Sequence, residues 1–140
     1  MNQDSQSGRK PVKQQAGVVP YRQAPDGGTE VLLITARSHP ESWIFPLGFV
    51  DRGETLEEAA ARECREESGW DVEIEVVVGD LDLEKEHSVH RVTFFIGRVT
   101  KEVARWDRDR CRRWVRRSEL IRSVPDKFAP IAEAAISKLP

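Results

Sequence analysis

The run from Gly48 to Trp70, GFVDRGETLEEAAARECREESGW, constrains this chain more than any other stretch. It joins a glycine-containing bend to a segment that reads as a helix. Thr55 followed three residues on by Glu58 is the pairing of a capping box. Leu56 to Glu67 then holds strong helix formers without proline or glycine, and Gly69 supplies the stop. Residues three and four apart share a helix face, so Glu63 lies beside both Glu66 and Glu67. Like charges at that spacing cost a bare helix roughly a few tenths of a kcal/mol per pair, and more where they are partly buried. Something cationic must offset them. Arg62 and Arg65 supply part of that charge. A hard divalent ion with oxygen ligands, Mg²⁺ or Mn²⁺, can supply the rest, because carboxylates with water and substrate phosphate form the usual shell of Mg²⁺. A glutamate-rich helix face is more often simply solvated. Here, however, Gly48 and Gly53 permit backbone shapes closed to other residues just upstream, so loop and carboxylates can face one site.

These residues resemble the Nudix box. Gly48, Glu54, Arg62, Glu63, Glu66, Glu67 and Gly69 supply every fixed identity of that motif, while Cys64 and Trp70 fill positions that are usually aliphatic. At roughly 7% usage per residue type, such a match at a given start has a chance on the order of 10⁻⁸. The resemblance implies an α/β fold, a Nudix-type α/β/α sandwich around a central mixed sheet. It also implies hydrolysis of a diphosphate bond by a metal-activated water. In that scheme Glu63 and Glu67 are side-chain metal ligands, the Leu47 carbonyl completes the shell, and Glu66 is the general base with a place at the metal as well. Glu54 and Arg62 orient the cluster. The division of roles among Glu63, Glu66 and Glu67 stays open, because adjacent carboxylates titrate together.

The length of 140 residues suits a single core, and 39% apolar with 33% charged residues reads as a soluble globular chain. A polar segment over 1–12 is expected to be loosely attached, with one domain over 13–140. No apolar run approaches 18 residues and no charged-then-apolar leader is visible, which sets the expectation of a cytoplasmic protein without a membrane span. Cys64 and Cys111 fit neither a disulfide framework nor a zinc site, and are expected as thiols. The net charge of −2 argues against a nucleic-acid partner. Its distribution is uneven: seven acidic and three basic residues lie between Asp51 and Glu67, against eight arginines and three acidic residues between Arg105 and Arg122. The two stretches suit the two sides of a metal-bound anion.

Strands are expected over 16–21 and 30–35, joined by a turn at Pro25-Asp26-Gly27-Gly28, over 43–45 ahead of the box bend, and over 72–78 and 89–100. A short strand is expected at 114–116, with Trp43 and Trp114 in the core. A terminal helix over 127–139, capped by Asp126, would place Phe128, Ile131, Ala135 and Leu139 on one face. Strands around a central helix, then a terminal helix, predict helices on both faces of a mixed sheet.

The flanks AGVVPYR, EVLLITARSHPESWIFP, HRVTFFIG and RWDRDRCRRWV resemble the branch of diphosphoinositol polyphosphate phosphohydrolases and diadenosine polyphosphate hydrolases. That resemblance, running from about Lys13 to about Ile121, implies a pocket for a polyphosphorylated small molecule. Lys13, His90 and Arg110 match its basic residues, Arg37 stands beside a further one, and Ser38 aligns with a loop arginine of the relatives. Gln15 and Ser88 also replace arginines common there, which counts against inositol pyrophosphate. The expected substrate is a diadenosine polyphosphate or a similar compound. The alternatives are an ordinary nucleoside triphosphate, cleaved in a house-cleaning role, and a Nudix-fold sensor that binds a phosphorylated metabolite without cleaving it.

Overall fold

Alternation along the first strand sets the two faces of the sheet. In the computed structural model, which describes residues 9–140, β1 spans Val12–Gln23, with Ala16 and Val18 in one apolar cluster and Val19 and Tyr21 in the other. The remaining strands are β2 (Thr29–Thr35), β3 (Trp43–Ile44), β4 (Leu47–Phe49), β5 (Trp70–Glu84), β6 (Val89–Glu102) and β7 (Arg112–Arg116). They form one sheet in the order β3-β2-β1-β6-β5, with β4 added to β1 and β7 to β2. β1 and β6 run parallel from the Val12–Val89 pair to the Tyr21–Arg98 pair, and the other pairings are antiparallel. The sheet is therefore mixed, as expected.

Helix α1 (Leu56–Ser68) covers one face, packing Ala59, Ala60 and Cys64 onto Ala16, Val18 and Phe95. The other face carries the larger core, under α2 (Leu120–Ser123) and α3 (Ala129–Ile136). Phe45, Phe94 and Phe128 meet there edge to face, with ring centroids 5.8, 6.2 and 6.3 Å apart. The α/β/α sandwich is present. Among the described residues no helix is long and apolar enough to cross a membrane.

Several boundaries differ from the sequence-based expectations. β1 begins at Val12, inside the segment expected to be loose, and Lys10 is tied to the Lys85 carbonyl at 2.6 Å; residues 1–8 lie outside the described part. β5 starts at Trp70, directly after the α1 cap, and pairs along β6 through register shifts that periodicity does not reveal. Leu47–Phe49, expected as a bend, is a strand because Gln15, Ala16 and Gly17 offer it a partner. Asp126 caps nothing: it opens a 3₁₀ turn, Asp126–Phe128, whose N-cap position is Pro125, and α3 follows with Pro130 in its first turn. Trp43 and Trp114 are only half-buried, with Arg113 over the first ring at 5.0 Å and Arg22 over the second at 3.8 Å.

The end of α1 explains how the sheet and the central helix are locked together. The last carbonyls of a helix have no intrahelical partner. Here the Gly69 amide bonds the Arg65 carbonyl at 3.0 Å, the Asp107 amide reaches the Glu66 carbonyl at 2.7 Å, and the Arg112 guanidinium reaches the Ser68 carbonyl at 2.9 Å. The chain between β6 and β7 thus caps α1. Gly69 is left-handed, φ 77°, and a Cβ there would lie 2.7 Å from the Trp106 ring. Gly69→Ala is expected to cost about 2 kcal/mol in urea unfolding, from left-handed strain and displacement of Trp106. A loss below about 0.5 kcal/mol would contradict this packing.

Candidate functional site

Thr55 caps α1 as the sequence predicts. Its hydroxyl accepts from the Glu58 amide at 3.0 Å, and the Glu58 carboxylate accepts from the Thr55 amide at 2.9 Å. This fixes the helix phase, and Arg62 follows on the face toward the loop. Arg62 donates from Nε to Glu54 Oε2 at 2.6 Å and from Nη2 to Glu54 Oε1 at 3.0 Å, a forked pair. Nη2 also reaches the Phe49 carbonyl at 2.9 Å, while Nη1 bonds Glu63 at 3.0 Å and Glu66 at 3.2 Å. One guanidinium therefore joins the strand, the loop and two helix carboxylates. Glu54 is held below the usual carboxylate range, first by its bond from Arg62 and then by the Asp51 amide. The loop approaches so closely that a Cβ on Gly48 would fall 2.2 Å from the Glu63 carboxylate.

Glu67 lies on the buried side of the same helix. It accepts from the Leu47 amide at 3.1 Å, so the residue expected as a backbone metal ligand stands beside the expected side-chain ligand. Burial pushes the Glu67 carboxyl up to about 8, against the lowering effect of Arg110 and with a further rise from Glu63. Burial also raises Glu63, opposed by its hydrogen bond with Glu67 and the charge of Arg62. Glu66 behaves differently: its side chain is 57% exposed and turns toward Arg62. Among the described residues, no group of three or more His, Cys, Asp or Glu side chains converges on one point.

Glu67 also forms part of the wall of a cleft of about 340 Å³, whose other walls include Arg37, Ser38, Lys85, Arg110 and Lys127. Arg37, 63% exposed, pairs with Asp107. Arg110, with a side chain only 9% exposed, spends its donors on the protein. Nε bonds Asp107 Oδ2 at 3.1 Å, Nη1 bonds the Thr35 carbonyl at 2.9 Å, and Nη2 lies 3.5 Å from Glu67 Oε2. Lys13 and His90 sit elsewhere, as register partners on β1 and β6 outside the walls of this cleft. The His90 ring meets Phe49 edge to face at 5.1 Å, and its imidazole is held below its ordinary pKa by burial and then by Lys85 and Lys13. Asp107, Lys85 and Lys127 were not singled out from sequence. Asp107 lies within an arginine-rich stretch that reads as a solvated face, and the lysines come from separate elements that only folding brings together.

A family profile for the NUDIX domain matches residues 13–139. The chain belongs to the NUDIX family. Nudix hydrolase 21, chloroplastic, from Arabidopsis thaliana is 36% identical over 115 residues, covering 78% of this chain and 58% of that protein. Diphosphoinositol polyphosphate phosphohydrolase 2 from Rattus norvegicus is 30% identical over 106 residues, covering 76% of this chain and 57% of its own length. This chain thus spans little more than half the length of these relatives. Among solved structures, the C. elegans Ap4A hydrolase superposes with a TM-score of 0.71 at 22% identity, covering 92% of this chain and 99% of that one. At that identity the likeness bears on the fold.

NUDIX hydrolases generally use divalent ions, and the donors present here fit one. All are oxygens, and the two neighbouring carboxyls are both desolvated and pushed above the ordinary carboxylate range, so a cation would compete there with a proton. Glu63 and Glu67 would hold the ion, with water and substrate oxygens as further donors. The sign of the proton linkage follows from the direction of the shift. A carboxyl raised in the folded state contributes stability that is full below its unfolded pKa and is lost as pH rises through about 8 for Glu67. The ion-free NUDIX fold should therefore lose stability toward alkaline pH, and uptake of Mg²⁺ near neutral pH should release protons. Calorimetry in buffers of different ionisation heat is expected to detect that release in the native chain and to find it reduced in Glu67→Gln. Heats independent of buffer would contradict the raised Glu67 carboxyl.

Proposed function

We propose that this NUDIX chain hydrolyses a phosphoanhydride bond in a nucleoside-diphosphate-linked or polyphosphorylated small molecule, with Mg²⁺ or Mn²⁺ as cofactor. A diadenosine polyphosphate or similar compound is the favoured substrate class. The observation that carries this reading is the Arg62 fork holding Glu54, Glu63 and Glu66 beside buried Glu67, at the wall of a cleft bearing exposed cationic groups. A bound divalent ion would neutralise phosphate charge and acidify water. The chain supplies the rest: Arg62 fixes Glu63, and the Leu47 amide fixes Glu67. Glu66, exposed and oriented by Arg62, is the proposed general base, since its carboxylate reaches solvent and can take a proton from water.

The substrate preference rests on charge and length. Arg37, Lys85 and Lys127 around the cleft suit several phosphates in a row. Gln15 and Ser88 are buried and neutral, and Ser38 contributes a hydroxyl to the cleft, a set better matched to a nucleotide than to a densely phosphorylated inositol.

A Mg²⁺-dependent screen over diadenosine polyphosphates, nucleoside triphosphates, nucleotide sugars and inositol pyrophosphates tests the proposal. Diadenosine polyphosphates are expected to turn over fastest. Glu66→Gln and Glu67→Gln are each expected to lose at least about 100-fold in kcat. If both variants stay within about threefold of the native rate, a barrier change well under about 1 kcal/mol, the scheme fails.

A further inference from the structure

We propose that Asp107 is a positioning residue for substrate phosphate, acting through Arg37, and that it ties this arginine to the catalytic helix. The inference rests on the hydrolase reading of the same site. Its footing is a chain of alternating charge: Arg37, Asp107, Arg110 and Glu67 follow one another in contact. Asp107 Oδ2 receives both Arg37 Nη2 and Arg110 Nε, and Oδ1 receives the Asp109 amide at 3.0 Å. The Asp107 amide bonds the Glu66 carbonyl at 2.7 Å, on α1 itself. This residue is thus anchored by its main chain to the helix that carries the carboxylates, and by its side chain to the cleft.

The two arginines it holds have different means of contacting a ligand. Arg110 has each side-chain nitrogen paired within the protein and is nearly buried, which makes it a brace for Glu67. Arg37 has one nitrogen on Asp107 and most of its surface in solvent. A long, flexible arginine loses rotamer freedom when it binds an anion. Asp107 removes much of that freedom beforehand by holding the guanidinium at the cleft. Because Asp107 is fixed to the Glu66 carbonyl, the phosphate-binding arginine keeps its distance from the carboxylates of α1. The expected anion is a phosphate chain whose terminal groups lie beyond the bond near Glu63 and Glu67.

The test is a double-mutant cycle on binding, read by calorimetry with a methylene-bridged, uncleavable adenosine triphosphate in the presence of Mg²⁺. Asp107→Asn and Arg37→Ala are each expected to weaken Kd about tenfold, and removal of Arg37 from the Asp107→Asn chain is expected to cost less than about twofold more. Asp107→Glu, which keeps the charge, should stay within about threefold of the native Kd, and Asp107→Ala provides a second cycle should the asparagine variant not fold. Additive losses, native affinity in Asp107→Asn, or no binding by the native chain would each overturn the inference. Hydrolysis of diadenosine polyphosphates, nucleoside triphosphates, nucleotide sugars and inositol pyrophosphates is assayed in parallel. A native chain that binds the analogue with the expected coupling but cleaves nothing would overturn the hydrolase reading and leave Asp107 in this role.

Discussion

The contact set of Arg62 is the interaction on which the rest of the site depends. Its guanidinium spans Glu54 on the loop, the Phe49 carbonyl on β4, and Glu63 and Glu66 on α1. A planar fork with fixed donor directions can serve that many acceptors together, whereas a lysine offers a single charged centre. Repulsion among carboxylates that would otherwise splay the helix face becomes attraction toward one cation. The guanidinium is held more strongly protonated than in water, first by its bond to Glu54 and then, against burial, by the charge of Glu63.

Two glycines and a loop make that arrangement possible. Gly48 lets the strand lie against the Glu63 carboxylate, where any side chain would collide with it. Gly69 turns the chain out of α1 directly into β5, and the connection between β6 and β7 comes back to take the carbonyls the helix leaves free. Capping and site assembly are one event, because the same connection carries Asp107 and Arg110. The acidic half of the sequence meets the arginine-rich half through particular bonds, not through a diffuse field.

The helix, its caps and the carboxylate spacing were legible because they depend on residues within one or two turns of each other. Thr55, Glu58 and Gly69 behave as local rules dictate. Strand cores with regular alternation were legible for the same reason, and so was the mixed sheet between two helical layers. What escaped was set at long range. The bulged course of β5 is decided by β6, and the strand at Leu47 by β1. Asp126 has the residue type of a cap, but Pro125 and a 3₁₀ turn occupy that place. Arg110 was read as a ligand contact, while its carboxylate and carbonyl partners come from Asp107, Thr35 and Glu67, which sequence order does not bring together.

In the proposed site the Arg62 fork, and not merely its charge, presents Glu63 and its neighbours to a divalent ion. Arg62→Lys keeps the charge and abolishes the fork. Titration of Mn²⁺ into this variant and into the native chain, with folding monitored alongside, separates fork from charge. The expected result is a folded variant whose Mn²⁺ affinity falls at least about tenfold, the scale seen when a group orienting metal ligands is lost. A folded Arg62→Lys chain that binds Mn²⁺ as tightly as the native one would contradict it.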